Sequence, residues 1–458
     1  MLKTLIQKEL LQQLHSRKFI ISAVISICLM LLCLQISTES YLNKLAEYQN
    51  VQNAYKKAIQ EVQNLTVETA FSYRSDFDPN IFRKPTPLCI FSQGKENDLG
   101  GMVAVGSRVP FIAQPIGKTD FFNEFDMAEV LDDAFAKIDF VLAIQFLFSL
   151  IAIFVAFDLV TGERETGMLK LVQAQNVSRL KVIAGKWLAG SIVLGCTMLL
   201  GLLLGMIYLL LIKGIVFDNI HVVRLILIFT LAVIYVLFFF QFALLSSCIL
   251  RSSQMTIMVM LFIWTLAIFI MPNFSLLIGK TISPLPPIDD LSMRTRKIAK
   301  EADIKKWQTK SSEERDRIRK QEYRDIWQIQ KYHLDQMKQQ RQTSMLISLI
   351  SPAPTFAFAT EYLAGTSVAD YEVFMERARL ESANWFKQQF PKDMTPEKLL
   401  SLRRQYLQTF SQATFDTNRT GLDDALRNAA PFIVWLIILN SVLYFSIVVY
   451  YDRRTKIL

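Results

Sequence analysis

The stretch Phe157-Asp-Leu-Val-Thr-Gly-Glu-Arg-Glu-Thr-Gly-Met-Leu-Lys-Leu-Val-Gln-Ala-Gln-Asn-Val-Ser-Arg-Leu-Lys-Val-Ile-Ala-Gly-Lys186 connects two long apolar runs, Phe140–Val160 and Leu188–Ile212. A run of about 20 apolar residues is long enough to cross a hydrocarbon core of roughly 30 Å. A short polar stretch between two such runs is therefore a link on one side of a bilayer. Glu163 to Lys170 carries its charge, Gly167 permits a tight bend, and Met168, Leu169, Leu171 and Val172 form a small apolar face. Arg179, Lys181 and Lys186 lead into the next run. A link of this kind can lie at the interface and offer a short helix to a soluble partner. The fold class that follows is an α-helical polytopic membrane protein.

Composition agrees. The chain has 458 residues, 52% of them hydrophobic, with 33 Phe, and its mean hydropathy is +0.28. Soluble domains do not carry that balance. Working outward from the link gives six transmembrane helices: Phe19–Ser37, Phe140–Val160, Leu188–Ile212, Leu225–Cys248, Thr256–Ile278 and Pro431–Tyr450. Residues 1–18 form an amphipathic elbow helix, with Leu2, Leu5, Ile6, Leu10, Leu11 and Leu14 at helical spacing. The basic region before the first span is too long, and Thr38-Glu-Ser-Tyr41 too poor a cleavage site, for a signal peptide, so the span is an uncleaved anchor. The net charge of +9 sits largely at span ends. It marks the cytoplasmic side and does not call for nucleic acid. Both termini, the 161–187 link, Arg251 and the tail 451–458 then share the cytoplasmic side.

Two insertions lie on the opposite side. The first, Thr38–Asp139, opens with a helix over Tyr41–Gln63, is broken by prolines and glycines between Asp76 and Gln114, and has a short strand at Met102–Val105. Met127–Ile138 then reads as a helix. The second, Gly279–Ala430, is highly charged over Ile288–Gln342. Ser311-Ser-Glu-Glu314 is a capping signal that splits this region into a helical hairpin. Thr395-Pro396 opens a further helix. Thr343–Thr360 has no charge over 18 residues, the length of a span, but Pro352 and Pro354 interrupt it. A seventh span would also move Arg453, Arg454 and Lys456 to the wrong side. The segment is read as interfacial or domain-buried.

The pattern Glu163-Arg-Glu-x-Gly167-x-Leu169, then Ser178-Arg179, then Gly185-Lys186 before an apolar helix resembles the signature of type-2 ABC (ABC-2) export permeases, with Met168 where that family usually has Thr or Ser. Ser351-Pro-x-Pro354, Leu363-Ala-Gly-Thr366 and the aromatic Tyr371–Phe374 resemble a subgroup with large outer domains after the first and fifth spans. The resemblance implies that the link couples to a separate ABC ATPase through Glu163, Arg164, Glu165, Gly167, Met168, Leu169, Val172, Arg179 and Lys186. It also implies a multi-pass protein of the bacterial inner membrane, paired with a second permease copy or a sister permease, exporting a substrate. ATP and Mg would be held by the ATPase, and this chain would carry no cofactor. The large outer mass leaves room for an alternative: a mechanotransmitter that relays ATPase motion to an envelope partner without a pore.

The chain's own residues support no catalysis. Gly117-Lys-Thr119 and Gly279-Lys-Thr281 end like a phosphate-binding loop, but the glycine required five positions earlier is Ile112 in one and Phe274 in the other. His15, His221 and His333 are far apart, and the five cysteines suggest neither a disulfide framework nor a zinc site. Charges are nearly absent from span centres, so no ion-coupled pump is indicated. Gln145, Gln241 and Asn440 are the polar residues within spans, placed to hydrogen-bond between helices or to line a path.

Overall fold

The computed structural model describes residues 2–64, 80–94, 102–104, 139–169, 178–284, 288–374, 376, 377, 380 and 421–454. Helix α1, Leu2–Leu14, precedes α2, Arg17–Asn64. The remaining long helices are α3 (Phe140–Glu165), α4 (Arg179–Ile212), α5 (Asn219–Ile249) and α6 (Ser253–Ile282), then α7 (Ile288–Gln308), α8 (Ser312–Ser348), α9 (Pro352–Ala364) and α10 (Leu422–Arg454). Six of them, α2 to α6 and α10, are long and apolar enough to cross a membrane. The expected helices at Met127–Ile138 and Thr395-Pro396 lie outside the described residues.

The helices are longer than the apolar runs they carry. The first continues without a break into the helix expected over Tyr41–Gln63, because no glycine or proline separates them and the Thr38 hydroxyl bonds back to Leu34 O at 2.6 Å. A proline inside a helix ordinarily kinks or ends it, yet α6 runs past Pro272. A five-residue π-helical turn, Leu266–Ile270, comes just before, so Pro272 falls in the first turn of the helix that resumes, where a missing N–H matters least. The helix that carries the last apolar run begins at Leu422, nine residues before Pro431, with Asp423 and Asp424 in its first turn.

Helices α3 and α5 form the centre. In α3, 67% of the apolar window is buried inside the chain, against 17% in α6 and α10, which the rest of the chain leaves mostly uncovered. Tyr235, Phe239 and Phe240 of α5 are fully buried in the main apolar cluster. Close approach depends on glycine. A Cβ on Gly201 or Gly205 of α4 would meet Met30 or Leu34 of α2, and one on Gly190 would enter the Phe240 ring. The three polar span residues do bond between helices. Gln145 Nε2 donates to Ala353 O at 2.8 Å and Asn440 Nδ2 to Ile234 O at 3.2 Å. With its amide turned to satisfy both neighbours, Gln241 donates to Asn440 O and accepts from Trp187 Nε1.

The uncharged segment 343–360 is exposed in part up to Ile350 and largely buried from Ser351 onward. The chain turns at Ser351, whose hydroxyl donates to Ala267 O at 2.7 Å, midway along α6. Helix α9 then starts, capped by Ser351, and ends at Gly365 with φ of 72°. It packs between α5 and α10. Phe356 stacks on Tyr235 near the middle of α5, at 4.7 Å and 17°, and Arg224 Nη1 near the start of α5 donates to Leu363 O. The segment thus dips into the bundle and returns to the side it came from, so six crossings remain. Its tip is held at two π-helical turns, Ile144–Phe148 in α3 and Leu266–Ile270 in α6.

On that same side, strands β1 (Asn80–Phe82) and β2 (Met102–Ala104) pair antiparallel, the second where a strand was expected. Helices α7 and α8 form the expected hairpin, with Ser311 at the N-cap of α8 and Lys306 paired with Glu322. Gln340 Nε2 donates to Ser283 O at 2.7 Å, which ties α8 to the end of α6.

Candidate functional site

The link between α3 and α4 lies at the end of the bundle opposite the hairpin. The α3 helix loosens over residues 157–160, and a short helix, Thr161–Glu165, follows. The N–H groups released there are taken up by α5: Val160 N and Thr161 N both donate to Ser247 Oγ at 3.1 Å. Gly167 makes the bend with φ of 76°, a conformation that L side chains rarely adopt.

Glu163, Arg164 and Glu165 each bond to a neighbouring element. Glu163 Oε1 accepts from Lys186 Nζ at 2.6 Å. The same ammonium, 1% exposed, also reaches both carboxylate oxygens of Glu9 on α1, at 3.1 and 3.2 Å. One cation on α4 therefore joins two carboxylates from two other elements. Glu163 Oε2 is buried without a partner among the described residues, so Glu163 depends on this one contact. Arg164 Nη1 donates to Leu250 O at 2.6 Å and Nη2 to Cys248 O at 3.3 Å, which satisfies the last carbonyls of α5. Glu165 accepts from Ser253 N at 2.7 Å and from Ser253 Oγ at 3.0 Å, capping the positive end of α6. Lys18 pairs with Asp158 at 3.2 Å and lies over the Phe157 ring.

These contacts stitch the link to α1, α2, α4 and the α5–α6 turn. Breaking a buried ion pair by removing one member costs about 3–5 kcal/mol. The link's first half is accordingly a fixed part of the bundle end and not a loose loop.

The apolar face expected from sequence divides in two. Met168 is 47% exposed and points out of the bundle, while Leu169 is 5% exposed and holds the bend down. Val172 and Leu171 lie outside the described residues. Arg179 is the first residue of α4. Sequence reasoning missed Glu9, the single acidic residue in α1, along with Ser247 and Ser253. The lone acid among leucines and lysines was the available signal. Gly279-Lys-Thr281 lies within the helical end of α6, not in a loop between strand and helix. Among the described residues no group of His, Cys, Asp or Glu is placed to hold a metal.

The family model described as ABC-2 family transporter protein matches residues 3–454, nearly the whole chain. No curated protein matches.

Proposed function

Because the chain belongs to the ABC-2 transporter family, as a membrane-spanning permease subunit, we propose that it works in export across a bacterial inner membrane and that ATPase motion enters it through the 157–169 link. The single observation that carries this reading is the stitching of the link: Glu163 to Lys186 and Glu9, Arg164 to the end of α5, and Glu165 to the start of α6. A push on its exposed tip at Thr166–Met168 is handed at once to α1, α4, α5 and α6. A loop without those contacts would absorb it. The ATPase, a separate chain, supplies ATP hydrolysis and holds its own ATP and Mg. Two permeases, identical or sister chains, would pair through their largely uncovered helices.

The test is co-expression with the ATPase subunit, followed by co-purification and ATP turnover in a bilayer. Met168→Asp is expected to fold as wild type and to lose about tenfold or more in ATPase retention, as for removal of an interface anchor. Full retention and turnover in that variant would place the coupling surface elsewhere.

One observation favours the mechanotransmitter reading. From Gln340, level with the end of α6, α8 runs roughly 28 residues back to Ser312, about 40 Å at 1.5 Å per residue. Near its end Trp307 is 91% exposed. A long lever with a bare aromatic suits contact with an envelope partner. Truncating residues 290–338 to a short turn separates the two readings. Loss of function with ATPase coupling intact supports a transmitter, and unchanged export supports a pathway through the bundle alone.

A further inference from the structure

The first half of α7 presents an uncovered basic face. Met293, Arg296, Lys297 and Lys300 share one side of the helix, at i, i+3, i+4 and i+7, and all four are exposed. Thr295 and Ala302, on the opposite side, are buried, and α7 packs on α8. The run Arg294-Thr-Arg-Lys-Ile-Ala-Lys300 has four cations and no acid. Arg294 pairs with Asp290 at 2.8 Å, but Arg296, Lys297 and Lys300 have no ion pair among the described residues. On α8, by contrast, acids and bases are interleaved, as in Glu313-Glu-Arg-Asp-Arg317. Like charges one turn apart, such as Arg296 and Lys300, repel, so this face gains from an acidic occupant.

The chain carries such an occupant outside the described residues. Between Ala104 and Asp139, the stretch Asp120–Asp133 has six acids and no base, with Phe121, Phe122 and Phe125 among them. Residues 381–420 are basic on balance, and 65–79 hold only three acids. The acidic stretch is also tethered in the right place. Gln93 N donates to Asp139, Gly94 lies against Thr366, and Glu372 reaches Lys338 of α8 at 3.3 Å. Helix α7 starts five residues after Ser283, which Gln340 of α8 holds. Asp133 is six residues from Asp139 and Asp120 nineteen, or up to ~20 and ~63 Å of extended chain. We propose that Asp120–Asp133 docks on the first half of α7, its carboxylates on Arg296, Lys297 and Lys300 and an aromatic side chain on Met293, so that the two outer insertions move together. Trp307, two turns beyond Lys300, stays open.

The test uses the full chain, cleared of its native cysteines, in nanodiscs. A cysteine at Met293 is expected to react with a water-borne maleimide about tenfold more slowly than one at Trp307. A tethered segment at an effective concentration of about 1 mM gives that protection with an intrinsic affinity of only about 0.1 mM. Changing the six acids to Asn or Gln, with wild-type elution and melting, should bring the two rates together. Raising salt from about 50 to about 500 mM, which shortens the screening length about threefold, should do the same and decides the matter where the neutralised variant fails to fold. Carbodiimide, which joins carboxylates to adjacent amines, should link Lys297 or Lys300 to the 120–133 acids within one copy when heavy- and light-isotope chains are mixed. Equal rates at Met293 and Trp307 with the acids intact would show a bare face and overturn the dock. Protection that survives both neutralisation and salt assigns the cover to another segment, and cross-links only between heavy and light chains assign it to a second copy. Either result overturns the proposal. Protection relieved by neutralisation or by salt, with cross-links inside one copy, supports it independently of the link's role, because no ATPase takes part in the measurement.

Discussion

Lys186 Nζ lies 2.6 Å from Glu163 Oε1, and this contact joins the link to the helix that follows it 23 residues later. With Glu9 on the far side of the ammonium, Lys186 is the cation on which two buried carboxylates rely. Lys186→Met should therefore destabilise the chain by about 3–5 kcal/mol, because it leaves two uncompensated carboxylates together. Adding Glu9→Gln and Glu163→Gln to the same chain should recover much of that loss. Unfolding in detergent measures both effects, and a wild-type transition in Lys186→Met would mean that the cluster holds nothing.

Neighbouring link residues should respond oppositely to the same substitution. Leu169 is buried and Met168 exposed. Leu169→Asp places a carboxylate in an apolar site and should lower stability by several kcal/mol, on the order of 3. Met168→Asp should leave the melting transition in place. Thermal scans of the two variants side by side decide this, and equal losses would show that the bend packs differently.

The dip at Ser351 makes a prediction about access. In a chain cleared of its native cysteines, a cysteine at Trp307 should react quickly with a water-borne maleimide, since that side chain is 91% exposed. One at Ser351 should not react, because the site is enclosed by α6 and bonded to Ala267 O. Rapid labelling at Ser351 would return the segment to the interface. Phe356→Ala, which removes the stack on Tyr235, should cost about 3–5 kcal/mol.

Asp139 introduces a pH dependence at the hairpin side. Its carboxyl caps α3, accepting from Leu142 N and Gln93 N, each at 2.8 Å. Burial pushes it from the ordinary 3.8 up to about 6, although those N–H bonds pull it down. The folded chain thus holds this proton more tightly than the unfolded chain. The contribution of Asp139 to stability grows as pH falls through about 6 and levels off below about 4. Amide exchange at residues 92–94, corrected for intrinsic rates, should be slower at pH ~5.5 than at ~7.5, and Asp139→Asn should remove the difference. A wild-type difference that survives in Asp139→Asn would assign it to another group.

What the sequence determined by itself was whatever depends on a single stretch of chain. Six apolar runs, the polar link between the second and third, the bend at Gly167 and the helix start after Ser311 were all legible, because hydropathy, φ preference and N-cap preference are local properties. The family signature in the link was legible for the same reason. What only the tertiary structure decided was which residues meet. Glu9 and Lys186 are 177 positions apart, and nothing in either neighbourhood says that α1 lies along α4. The link's charges read as a docking surface until packing bound Glu163, Arg164 and Glu165 to neighbouring elements and left Met168 outside. The segment 343–360 showed the same limit. An uncharged run can cross, lie flat or dip and return at nearly equal local cost, and the choice was made by the carbonyls and rings of α3, α5 and α6 that receive Ser351, Ala353 and Phe356. Burial and ion pairing are properties of neighbours, and neighbours are chosen by the packing of the whole bundle.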